Sequence, residues 1–137
     1  MAQFYLLSVL TTITAGLTLA GDFLGEKIAF LAGLGKLREN RRAQTVLGIV
    51  SIVVGVVKLI VLSPGEHVPV VGDILPALSG IALGAIVLIE AHRLRVEGRS
   101  EPLERLSKTV LTYRVPVGIT GAVIGLLHFL VPGAVIL

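Results

Sequence analysis

Long apolar runs separated by short polar connectors dominate this chain. The clearest case is 46–90, which reads VLGIVSIVVGVVKLIVLS, then PGEHVPVVGD, then ILPALSGIALGAIVLIE. Roughly 20 helical residues at ~1.5 Å rise cover a bilayer core of ~30 Å, and each run has about that length. A soluble core helix keeps a polar face, and neither run has one. The pattern predicts a transmembrane hairpin with one more span on either side. Four spans are expected, at 4–24, 43–62, 74–91 and 115–135. The fold class is therefore an all-α integral membrane protein in a single domain.

Span one is rich in threonine, with Thr11, Thr12, Thr14 and Thr18. Such hydroxyls bond back to their own helix or across to a neighbour. Small residues recur four apart along the spans: Thr12, Gly16 and Ala20; Gly21 and Gly25; Ser51 and Gly55; Gly80 and Gly84; Gly121 and Gly125. That spacing lets two backbones approach closely, so these faces pack on protein rather than lipid. Gly48 and Gly118 join the set through a repeat. Segment 47–61 (LGIVSIVVGVVKLIV) aligns with 117–131 (VGITGAVIGLLHFLV), matching Gly48 to Gly118, Gly55 to Gly125 and Lys58 to His128. Spans one and three align more loosely through AGLTL and SGIAL. The chain then reads as two tandem helical hairpins, 1–65 and 66–137, related by an axis along the membrane normal.

Composition supports the membrane class. Of 137 residues 54% are hydrophobic and 15% charged, against about 25% charged in a soluble domain. Mean hydropathy is +0.93. The absence of Cys excludes disulfides, thiolate metal sites and a Cys nucleophile. Net charge is +3, with five basic residues between Lys27 and Arg42, six between Arg93 and Arg114, and Lys58 elsewhere. Both clusters occupy connectors, which is the positive-inside pattern. Connectors 25–44 and 92–114 are therefore expected in the cytoplasm, with both termini outside. Anionic lipid headgroups are the natural partners of these charges. No aromatic platform accompanies them, so nucleic acid is not a partner. The start of the chain lacks the positive region of a signal peptide, and its apolar stretch runs on too far, so it is read as a mature span. Few aromatics and no Cys suit a prokaryotic inner membrane.

The second connector contains RSEPLERLSKTVL, with Leu103, Leu106 and Val110 on one face. It predicts a short amphipathic helix on the cytoplasmic membrane surface. Asp73 is a plausible N-cap for span three, with Pro76 in its first turn.

Polar residues near the spans are the candidates for chemistry. Asp22 and Glu26 lie one turn apart. They are interfacial if span one ends near Leu24, and buried functional carboxylates if it runs on to Phe30. Lys58 either snorkels to the interface or faces a polar cavity, paired with Glu66 or Asp73. His128 is either a packed histidine or a proton-handling group. Lys58, Glu66, His67, Asp73 and His128 together form a candidate outer polar cluster. No metal or cofactor is expected, since no H-E-x-x-H spacing occurs and Gly33-x-Gly35 lacks a nucleotide-loop context. No G-x-S-x-G elbow points to a hydrolase, and the chain is not expected to be an enzyme. The glycine faces exceed what one four-helix bundle needs, so a homo-oligomer is expected. The functional expectation is a small homo-oligomeric channel or transporter for a small ion or solute. The alternative is a non-catalytic scaffold or accessory subunit of a larger membrane complex.

Overall fold

The computed structural model describes residues 2–61, 70–93 and 101–131, and every element among them is helical. The order is α1 (Ala2–Leu19), α2 (Gly21–Lys27), a 3-10 turn (Ala29–Leu31), α3 (Ala32–Glu39), α4 (Arg41–Val61), α5 (Val70–Arg93) and α6 (Glu101–Leu130). Three helices are long and apolar enough to cross a membrane: α4, α5 and α6. A fourth crossing results if α1 and α2, which meet at 78°, form one broken span.

Span one therefore does not run straight to residue 24. Ala20 leaves helical geometry (φ −91°, ψ 0°) with no side-chain cap, and Gly21 starts α2 in a new direction. Ile28 is extended and ends α2. The chain then doubles back so that α3 packs on α2. A Cβ on Gly25 would lie 3.2 Å from Ala32 Cα. Asn40 starts α4 by accepting hydrogen bonds at Oδ1 from the backbone N–H groups of Arg42 (3.1 Å) and Ala43 (3.2 Å). Two orphan donors of the first turn are satisfied in this way, so α4 begins at Arg41 rather than Ala43.

Two further expectations are corrected. α5 begins at Val70, so Asp73 lies inside its first turn and is not the N-cap. The amphipathic stretch is not a separate surface helix. It is the first half of α6, which continues through Pro116 for 30 residues. Proline removes one backbone donor, whereas ending one helix and starting another would orphan several groups at the edge of the apolar layer. At ~1.5 Å per residue α6 is ~45 Å long, so it outreaches a ~30 Å core. Leu106 of the expected apolar stripe is exposed.

Backbone contact builds the bundle. α4 and α5 touch where a Cβ on Gly48 would meet the Gly84 carbonyl oxygen at 2.9 Å, and one on Gly84 would meet the Gly48 oxygen at 2.7 Å. α1 and α6 touch in the same manner, at 2.5 Å from Gly16 to the Gly118 oxygen and 2.6 Å in reverse. Gly55 packs on Ile81, and Gly125 on Ile13. Gly80 faces Thr12, Gly121 faces Leu83, and Gly21 is buried. Nine of the ten glycines put forward from their spacing and the repeat are thus buried within one chain, so these nine supply no surplus face for a second copy. Ala15, Leu19, Leu83 and Val87 fill the centre. Large apolar side chains such as Leu10, Val53, Ile60 and Leu126 lie on the outside, an arrangement compatible with a lipid surrounding.

Candidate functional site

Antiparallel packing places polar groups at both ends of the bundle. At one end Lys58, in the last turn of α4, reaches across to α6 and α1. Its Nζ lies 3.0 Å from His128 Nε2 and 3.4 Å from Ser8 Oγ. The Tyr5 hydroxyl donates to the His128 carbonyl oxygen. The Tyr5 and His128 ring centroids are 5.0 Å apart, and Lys58 Nζ lies 5.8 Å from the Tyr5 centroid. His128 is buried. An ammonium only donates, so a charged Lys58 requires Nε2 as acceptor and the imidazole proton on Nδ1.

The structure thus joins two members of the sequence-derived cluster, Lys58 and His128. Glu66 and His67 lie outside the described residues, as does the side chain of Asp73. Tyr5 and Ser8 were missed. Their signal was available, because Tyr5, Ser8 and Thr12 share one helical face.

At the other end four side chains from four elements form an ionic network. Arg114 on α6 donates from Nη1 to Glu90 Oε1 (3.0 Å) and from Nη2 to Asp22 Oδ2 (3.1 Å). Arg38 on α3 pairs with the same Asp22 oxygen, and its Nε lies 3.4 Å from Glu90 Oε2. These two cations face two carboxylates, and Arg93 adds a further positive charge near Glu90. Glu90 is only 5% exposed, whereas Asp22 is 51% exposed. The bend at Ala20 places Asp22 in this network and leaves Glu26 exposed, with no ion pair among the described residues. Glu90, Arg38 and Arg114 were not singled out. Glu90 closes an apolar run and the arginines sit in basic connectors, so each reads as an ordinary boundary residue.

Between the ends runs a polar stripe. Gln44, Ser51 and Lys58 are spaced seven apart on α4 and so share one face. Gln44 and Ser51 are each 1% exposed. Gln44 Nε2 donates to the Arg38 carbonyl oxygen at 2.7 Å. Gln44 Oε1 and Ser51 Oγ have no hydrogen-bond partner among the described residues. Thr12 adjoins the stripe. Its Oγ1 and the Ser51 carbonyl oxygen flank the same spot on Gly80, at 3.5 and 3.6 Å from a Cβ there. Thr11 and Thr18 instead bond to carbonyls of their own helix. The inner face of α6 runs Arg114, Gly118, Gly121, Gly125, His128, with no polar side chain between its two ends.

No curated protein and no solved structure matches this chain. A family model without an assigned function covers residues 1–128, and the chain belongs to that family.

Proposed function

We propose that the protein is a four-span protein of a prokaryotic inner membrane that moves a small ion or solute through its own bundle. Both termini face outward, and 25–44 and 92–114 face the cytoplasm. The carrying observation is the Lys58–His128 pair, two basic side chains hydrogen-bonded at 3.0 Å inside an apolar bundle. A lysine one turn from its helix end could snorkel to the interface, yet Lys58 meets the buried His128 instead, and a transport role accounts for that pairing. The orientation draws on the Glu90 end, where the basic connectors meet the bundle.

The repeat gains support from the glycine contacts. Exchanging α1 with α5 and α4 with α6 turns Gly16 on Gly118 into Gly84 on Gly48, and Ile13 on Gly125 into Ile81 on Gly55. The same exchange matches Asp22 to Glu90 and Lys58 to His128. It moves the alignment of spans one and three by one helical turn from AGLTL on SGIAL, pairing Gly16 with Gly84. Two tandem hairpins with an axis between them place both polar ends on that axis.

The alternative, a scaffold or accessory subunit, draws on the protruding first half of α6, where Leu106 and Tyr113 are exposed. Flux assays on the purified chain in liposomes separate the two. Transport predicts ion movement that Lys58→Met and His128→Ala abolish without loss of assembly. A correctly assembled protein that passes no ion would leave the scaffold.

A further inference from the structure

Resting on that transport reading, we infer that the ion is the proton and that it travels along the inner face of α4. The route runs from the Lys58–His128 pair past Ser51 and Gln44 to the Glu90 carboxylate. Close packing argues for a proton over other ions. Beside Ser51, α4 and α5 are in backbone contact, and a Cβ on Gly84 would lie 3.0 Å from Ser51 Cβ and 2.7 Å from the Gly48 oxygen. An alkali cation or halide would need several ligands and a pore of its own width there. A proton needs only hydrogen bonds that can be handed on.

The stripe offers such hydrogen bonds at regular intervals. Lys58 to Ser51 and Ser51 to Gln44 are each a ~10 Å rise along α4, so the route requires water between successive side chains, entering singly as the helices breathe. Ser51 Oγ and Gln44 Oε1 are buried acceptors without a partner among the described residues, and a buried water satisfies such atoms. Thr12 Oγ1 adds a hydroxyl at the midpoint, beside Gly80. At the far end Gln44 Nε2 donates to the Arg38 carbonyl oxygen, and the guanidinium of the same Arg38 lies 3.4 Å from Glu90, so the residue that holds Gln44 also borders the carboxylate.

Both ends of the route carry proton-binding side chains. The Lys58 ammonium releases a proton to water at Ser51, whose Oγ takes it up and gives its own proton onward. Gln44 Oε1 accepts a hydrogen bond from the next water and so positions it, and that water delivers the proton toward Glu90. A proton arriving from outside converts His128 to imidazolium, whose Nε2–H then donates to the Lys58 amine. The Glu90 carboxylate takes up the proton at the inner end and passes it to the cytoplasm. Only N–H and O–H bonds form and break, and no electron changes hands.

The test uses the full chain in neutral-lipid liposomes with a trapped pH dye and an imposed potential. Wild type is expected to acidify the lumen equally when sodium and chloride are replaced by large organic ions. Ser51→Ala and Gln44→Leu are expected to lower the rate to that of protein-free liposomes. Thr11→Val, whose hydroxyl bonds its own helix, is expected to keep the wild-type rate. Gel filtration and thermal unfolding verify that each variant is folded, and Ser51→Ala removes only an oxygen. Flux of sodium or chloride instead of protons would overturn this inference and leave transport standing. No flux of any ion would overturn the transport reading itself. Proton flux intact in Ser51→Ala and Gln44→Leu but lost in Lys58→Met would overturn the route.

Discussion

Lys58 Nζ lies 3.0 Å from His128 Nε2, tying the last turn of α4 to the last turn of α6 across the bundle axis. Two basic groups hydrogen-bond only if one supplies a lone pair, so the pair holds its protons jointly. Losing either partner should therefore cost more than its packing alone. In a double-mutant cycle of Lys58→Met and His128→Leu, a coupling of about 1.5–3 kcal/mol is expected, as for a hydrogen bond to a charged group. Reversible unfolding in mixed micelles measures it, and strict additivity would show that the two side chains do not interact.

The ionic network at the other end should respond unequally to loss of its two acids. Glu90→Ala leaves Arg38 and Arg114 partly buried without their shielded partner, at an expected cost of about 3–5 kcal/mol. Asp22 is half exposed and screened by solvent, so Asp22→Ala should cost less than about 1 kcal/mol. Thermal unfolding of the two variants side by side ranks them. Equal losses would mean that burial does not set the strength of this network.

Glycine substitutions should divide by what a side chain would meet. Gly16→Ala and Gly48→Ala drive a methyl into the backbone of the neighbouring helix, at 2.5 Å from the Gly118 oxygen and 2.9 Å from the Gly84 oxygen. Overpacking of this kind costs about 1–3 kcal/mol. Gly33, within α3, has open space, and Gly33→Ala should stabilise by about 0.4–1 kcal/mol. The sign of the change in melting temperature is the readout.

Topology can be read with single cysteines, since the chain has none of its own. Membrane-impermeant thiol reagents applied outside intact cells should label Glu66→Cys. They should leave Arg41→Cys and Thr109→Cys unlabelled until the membrane is opened. The reverse pattern would invert the orientation, and labelling of all three would remove the four-span arrangement.

The all-helical class of the fold was legible in the sequence because lipid would impose one rule on every segment it surrounds. A run of apolar residues without a polar face must close its own backbone hydrogen bonds, and only helices do so locally. Length then picks out the candidate crossings, four by the apolar pattern against three unbroken helices and one bent pair in the fold, and basic residues mark the connectors. The glycine spacing announced close helix contacts by the same local logic. It could not say whether the partner was a second chain or another helix of this one.

Tertiary packing decided what local pattern could not. Whether Lys58 turns outward or inward depends on a histidine 70 positions away. Whether Asp22 is interfacial or shares an arginine with Glu90 depends on a 78° bend at a residue with no capping side chain. The amphipathic stretch became part of α6 because continuity through Pro116 sacrifices fewer hydrogen bonds than a break. Each of these outcomes is set by the free energy of a polar group's partner in an apolar surrounding. For Lys58 and Asp22 that partner comes from a distant segment, so the sequence near the residue carries no record of it.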